Sequence, residues 1–137
     1  MKLTKEQRDE LAQELAHPYG RVELMCDGYK VVLHVERWKE LSYRIVTYVN
    51  GEWRVVWICA PGEYPERKFL RYTEKFVHPA RFRAQMLKLL GKRRYAKENY
   101  DKKIGMWNID WQTGKAAINH LHRVCDSIEI ISKGYAG

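Results

Sequence analysis

The sequence predicts an α+β fold: a four-stranded antiparallel meander made of two tight hairpins, preceded by one short helix and followed by two or three helices. Two turn signals and one amphipathic stretch carry this prediction. Asp27-Gly28 and Asn50-Gly51 each lie between apolar runs rich in β-branched and aromatic residues. That is a strong short-range hairpin signal, because a type I′ turn needs positive φ at both central positions. Residues 79–90, opened by Pro79 and followed by Gly91, repeat apolar side chains at helical spacing.

The elements follow in order. Thr4 is placed to N-cap a first helix, with Glu6, Asp9 and Glu10 suited to its positive end. Leu11 and Leu15 share its inner face, and Pro18 with Gly20 should end it at His17. Residues 21–26 and 29–35 form the first hairpin, with Leu24 opposite Val31, Val22 opposite Leu33, and His34 facing Arg21. Residues 42–49 and 52–58 are expected to form the second, setting Tyr48 against Trp53 and Val46 against Val55 on one face. The other face carries Ile45 against Val56 and Tyr43 against Ile58. The sheet therefore spans 21–59. Residues 60–65 read as a turn and 67–76 as a helix.

Helix 79–90 puts Phe82, Met86, Leu89 and Leu90 on one arc and Arg81, Gln85, Lys88 and Lys92 on another. Residues 92–103 read as polar loop or fraying helix. Residues 106–111 suit a short strand or packed loop. Thr113 caps a last helix to about Cys125, with Ala117, Leu121 and Val124 inward, and 127–131 can return as a fifth short strand. No linker or repeat divides the chain, so 1–137 is expected to be a single domain: a helix over 1–17, the sheet over 21–59, and a basic helical portion over 62–137.

Several functional classes find no support. No apolar run approaches a membrane span, and the charged N-terminus lacks the apolar core of a secretory signal. The three cysteines, Cys26, Cys59 and Cys125, are odd in number and far apart, which suits reduced thiols in a cytoplasmic protein rather than a disulfide framework. There is no glycine-rich phosphate loop. His120, His122 and Cys125 lack metal-ligand spacing and are read as solvent-facing histidines beside a structural thiol, so neither metal nor cofactor is expected. His34, Glu63, Glu66 and Asp110 could each serve as a base, but nothing selects a catalytic set, and the chain is read as non-enzymatic.

The charge distribution says more. The formal net charge is +8, yet residues 1–62 balance nine Lys/Arg against nine Asp/Glu. The window 67–103 holds thirteen against three, a charge of +10, interleaved with Phe69, Tyr72, Phe76, Phe82, Tyr95 and Tyr100. Cations at this density neutralise phosphates and release counterions, and an exposed ring can stack on a base. The expected function is therefore a binding module for a polyanion, with nucleic acid favoured. The expected contacts are Arg81, Lys88, Lys92, Arg93, Arg94, Tyr95, Lys97 and Tyr100, with Tyr95 and Tyr100 the exposed rings and Phe69, Phe76 and Phe82 the core ones. The alternative is an inhibitor or assembly factor of the phage or mobile-element type. It would meet an acidic protein surface through the same stripe, or through an outer sheet face bearing Arg44, Tyr48, Trp53 and Trp57.

Overall fold

The computed structural model describes residues 2–134, and its elements confirm an α+β chain with an antiparallel sheet. Thr4 caps helix α1 (Lys5–Glu14) through a capping box: its hydroxyl accepts from Gln7 N, and its own N–H donates to the Gln7 side chain. The helix stops three residues short of the expected His17. Strands β1 (Arg21–Cys26) and β2 (Tyr29–Lys39) form the first hairpin in the expected register, including Leu24 with Val31, Val22 with Leu33, and Arg21 with His34. Asp27 and Gly28 both take positive φ, as the turn requires.

Strand β3 (Ser42–Val49) pairs with β2, and Asn50 and Gly51 again take positive φ. The chain then departs from expectation. Only Val49 and Glu52 bridge across that turn, and residues 55–59 form a short helix, α2 (Val55–Cys59). The pairings of Tyr48, Val46, Ile45 and Tyr43 with residues 53–58 do not form. The free edge of β3 is instead filled from far along the chain. Strand β6 (Asp110–Trp111) sets Trp111 beside Ile45 and Asp110 beside Val46, and Thr47 N donates to Ile109 O at 2.8 Å. A five-residue apolar run satisfies strand and helix patterns alike, so the neighbour that takes the edge decides.

Two compact units organise the chain: residues up to Arg71 with those from Trp107 onward, and Tyr72–Met106. In the first, the sheet order is β6-β3-β2-β1-β7, where β7 (Ile128–Lys133) is the fifth strand, beside β1. The sheet thus draws on residues well outside 21–59. One face carries Val22, Leu24 and Cys26, then Val31, Leu33 and Val35, then Ile45, Thr47 and Val49, all buried. Leu11 of α1 and Leu15 just after it, with Ala117, Ile118 and Leu121 of α4 (Gly114–Val124), close over it. Thr113 caps α4 as expected, accepting from Ala116 N.

A single-turn 3-10 helix, Pro65–Phe69, replaces the first part of the expected helix over 67–76 and buries Phe69 completely. Arg67 explains the irregular loop before it. Its guanidinium donates to Trp57 O at 2.8 Å, Gly62 O at 2.5 Å, Ala60 O at 2.6 Å and Val56 O at 3.3 Å. Beside it, Asp27 ties three segments together. Its carboxylate accepts from Lys68 Nζ at 2.6 Å, Ser127 N at 2.8 Å and Asp126 N at 3.1 Å.

These donors favour the charged carboxylate, Lys68 first, and lower its pKa from 3.8 to about 2. A depressed folded-state pKa gives stability that is present above the unfolded value and lost as the pH falls. The thermal midpoint should therefore decline as the pH drops from about 4 to about 2. Asp27→Asn should start lower at neutral pH and lose this part of the acid limb. An unchanged limb in thermal melts across that range would show that Asp27 is not the linked group.

The second unit contains all but the first residue of β4 (Arg71–Phe76), all but the last two residues of β5 (Lys103–Asn108), which pairs with it, and α3 (Ala80–Glu98). The residues expected to be a helical portion over 62–137 therefore include four strands. Gly91 breaks α3 at φ 79° and ψ 164°, a conformation open essentially to glycine alone, so two helical segments meet there. Of the two forms expected for this stretch, loop or fraying helix, residues 92–98 take the helical one, and Asn99 caps it in the left-handed region. Among the described residues no helix is long and apolar enough to cross a membrane.

Candidate functional site

Tyr72–Met106 holds ten of the chain's 25 Lys/Arg and three of its 17 Asp/Glu. What keeps so charged a segment ordered is a cluster of rings and one arginine. Arg83 sits over Phe76, 3.5 Å from guanidinium carbon to ring centroid. It also donates through Nε to His78 O at 3.2 Å and reaches Asp101 at 3.6 Å. Tyr100 is the hub of the rings, packing against His78 at 5.5 Å, Phe82 at 5.9 Å and Tyr95 at 5.6 Å between centroids.

Two expected contact residues are thereby reassigned. Tyr95 is buried, its ring stacked on Tyr100 and its hydroxyl donating to Asp101 Oδ1 at 2.6 Å. That carboxylate pushes the phenol pKa upward. Tyr95 and the half-buried Tyr100 are the unit's internal support rather than free stacking platforms. Conversely Phe76 and Phe82, expected in the core, stay partly exposed; Phe69 is the one that is fully buried.

The other six expected contacts all face solvent. Arg81 and Lys88 lie on the first segment of α3, and Lys92, Arg93, Arg94 and Lys97 on the second. Among the described residues none of these six takes part in an ion pair. The helical second segment gathers Arg93, Arg94 and Lys97, at spacings of three and four, around a shallow groove of about 500 Å³ together with Leu90 and Glu98. Leaving 92–103 open between polar loop and fraying helix hid this grouping. The signal available was the run Lys-Arg-Arg-Tyr-Ala-Lys-Glu, good helix formers without glycine or proline.

The window's first three cations do not belong to this surface. Arg67 serves backbone carbonyls, Lys68 pairs with Asp27 at 2.6 Å, and Arg71 donates to Asp110 O at 2.8 Å. Each finds a fixed acceptor within its own compact unit. The hollow of about 760 Å³ bordered by Tyr64, Arg67 and Trp107 contains a guanidinium already committed to carbonyls.

The outer-face alternative is also reshaped. Trp57 is buried in α2, and Arg44 lies 3.8 Å from Asp110. Tyr48 donates to Glu36 at 2.5 Å, and its pKa is pushed up to about 12 by burial first and then by that carboxylate. His34, for which the sequence offered no carboxylate partner, lies 3.6 Å from Glu36.

His120, read as solvent-facing, turns inward. Its Nε2–H donates to Lys68 O at 2.8 Å and its ring lies 5.0 Å from Trp111. Because a carbonyl can only accept, Nδ1 is left to accept from Arg123 at 3.2 Å, which is the neutral tautomer. Burial lowers the His120 pKa accordingly. Cys26 and Cys125 are fully buried thiols, and interaction with Cys125, then burial, raises the Cys26 pKa; Cys59 is exposed.

The site thus rests on its own geometry, since no protein-family model, curated protein or solved structure matches the chain.

Proposed function

We propose that this protein binds a polyanion, nucleic acid being the one favoured, through the exposed cations of α3. One observation carries the reading: Arg81, Lys88, Lys92, Arg93, Arg94 and Lys97 are all solvent-facing and outside every ion pair among the described residues. A cation already matched to a carboxylate gains little from a phosphate, whereas an unmatched one neutralises it and frees a condensed counterion. If all six meet phosphates, log K against log salt should have a slope of roughly −5, and affinity should fall about a thousandfold between roughly 50 and 200 mM salt. Fluorescence polarisation with a labelled duplex and a labelled single strand across that range measures it. Absence of binding to both at the low-salt end would reject the reading.

A second reading, an acidic protein partner met by the same surface, is favoured by a different observation. Leu87 is 39% and Leu89 77% exposed beside the cations. Apolar side chains of this size gain from a protein surface and gain nothing from a phosphate backbone. A stoichiometric partner retained from lysate after nuclease treatment, and lost in Leu87→Ser/Leu89→Ser, would favour it over nucleic acid.

A further inference from the structure

We infer that the groove formed by Arg93, Arg94 and Lys97 is a seat for the phosphodiester backbone of a double-stranded nucleic acid, engaged without reading its bases. This rests on the polyanion reading above and narrows it to a ligand form and a mode of recognition. Three features of the second helical segment lead there.

The first is convergence. Arg93 and Lys97 are one turn apart, Arg94 and Lys97 nearly so, and all three line one concavity with Leu90. Guanidinium groups present planar forks that match phosphate oxygens bidentately, while the ammonium adds a mobile point charge. Among the described residues Glu98 is the one acidic side chain lining the groove, and it disfavours phosphate on its own side.

The second is the absence of a ring. Among the described residues no aromatic side chain lines the groove. The nearest in sequence, Tyr95, is buried, stacked on Tyr100 and hydrogen-bonded to Asp101. Tight sequence-tolerant binding of single strands relies on bases stacking on exposed rings, and here that ring is used to hold the segment together. The third is local shape. A seven-residue helix set off by Gly91 presents long cations outward; arginine can also fork onto guanine, so comparison of two unrelated duplexes is what separates backbone from base contact. Asparagine and glutamine, the residues that pair with adenine edges, are missing from 92–98. Contacts limited to phosphates position a protein and carry no sequence information. A duplex carries twice the axial charge density of one strand, so a stacking-free cationic groove should prefer it.

The test uses the full-length chain, two short labelled duplexes of unrelated sequence, and one of their single strands. The wild type should bind both duplexes within about threefold of each other and the single strand more weakly. Arg93→Ala/Arg94→Ala/Lys97→Ala should flatten the salt slope by roughly 2.7, from roughly −5 toward roughly −3. Arg93→Lys/Arg94→Lys should retain most of the slope while losing affinity, because charge is kept and the fork is not. Retention of slope in that variant excludes general unfolding as the cause, and circular dichroism of the triple variant checks the same point. If the wild type binds but the triple variant keeps its slope, the groove is not the seat. Tighter binding to the single strand, or strong discrimination between the duplexes, overturns the mode of recognition. No wild-type binding to any probe defeats the polyanion reading itself. Capture of the wild type by an acidic polypeptide in preference to duplex overturns the assignment in favour of a protein partner.

Discussion

Trp111→Ala is expected to remove about 4 kcal/mol of folding free energy, the largest loss from any single side chain on the sheet edge. Trp111, in the edge strand β6 of the five-stranded sheet, is buried beside Ile45 of β3 and against His120 of α4. Truncation to alanine would leave a cavity on that scale. It would also strand a polar group, because the indole N–H donates at 3.1 Å to the hydroxyl of Thr47, which is completely buried. A buried hydroxyl without its partner adds a penalty of about 1–3 kcal/mol, though the cavity can admit water and soften it. A domain of this size has a total stability of about 5–15 kcal/mol, so the variant should sit near its unfolding threshold. Trp111→Phe separates the two contributions, keeping most of the packing and losing the hydrogen bond, with an expected loss of about 1–2 kcal/mol. Urea denaturation of both variants gives the numbers. A loss below about 1 kcal/mol for the alanine variant would show that the edge of β3 is secured by something else.

Arg67→Ala is expected to cost about 3 kcal/mol, and Arg67→Lys nearly as much. The reason is the loop that follows α2. Four backbone carbonyls, those of Val56, Trp57, Ala60 and Gly62, converge on one guanidinium, which lies 4.9 Å from the Tyr64 ring centroid and 5.7 Å from that of Trp107. Val56 O already accepts from Ala60 N at 3.1 Å, but the carbonyls of Trp57, Ala60 and Gly62 lie at or beyond the end of α2, where no further helical N–H follows, and need another donor. An ammonium has as many protons as it needs for charge but not the planar fork that meets four acceptors at once. The measurable consequences are a lower denaturation midpoint and increased protease cleavage within 60–65 in the lysine variant as well as the alanine one. If Arg67→Lys were indistinguishable from wild type in both assays, charge rather than fork geometry would be what orders the loop.

Local chemistry was readable wherever a few neighbouring residues settle the conformation. The Thr4 and Thr113 caps, the turns at Asp27-Gly28 and Asn50-Gly51, and the β1–β2 register all depend on contacts within a few positions, and all appear as expected. The candidate site divides along the same line. That Arg81, Lys88, Lys92, Arg93, Arg94 and Lys97 face solvent follows from a dense basic run too charged to bury. That Tyr95 is internal follows only from Tyr100 and Asp101 meeting it.

The sequence alone determined the starts of α1 and α4, the first hairpin and the charge asymmetry, because each is a property of adjacent residues or of composition. Tertiary structure decided the fate of residues 52–59, the burial of Tyr95, and which cations stay free. Val55–Cys59 could pair with β3 or coil, and the outcome turned on Ile109–Trp111 taking that edge from more than fifty residues away. Arg67, Lys68 and Arg71 look in sequence like their basic neighbours, but carbonyls and carboxylates brought close by folding claim them. A strand edge and an anionic acceptor are both positions in space, and a linear pattern holds no information about which distant segment will arrive there.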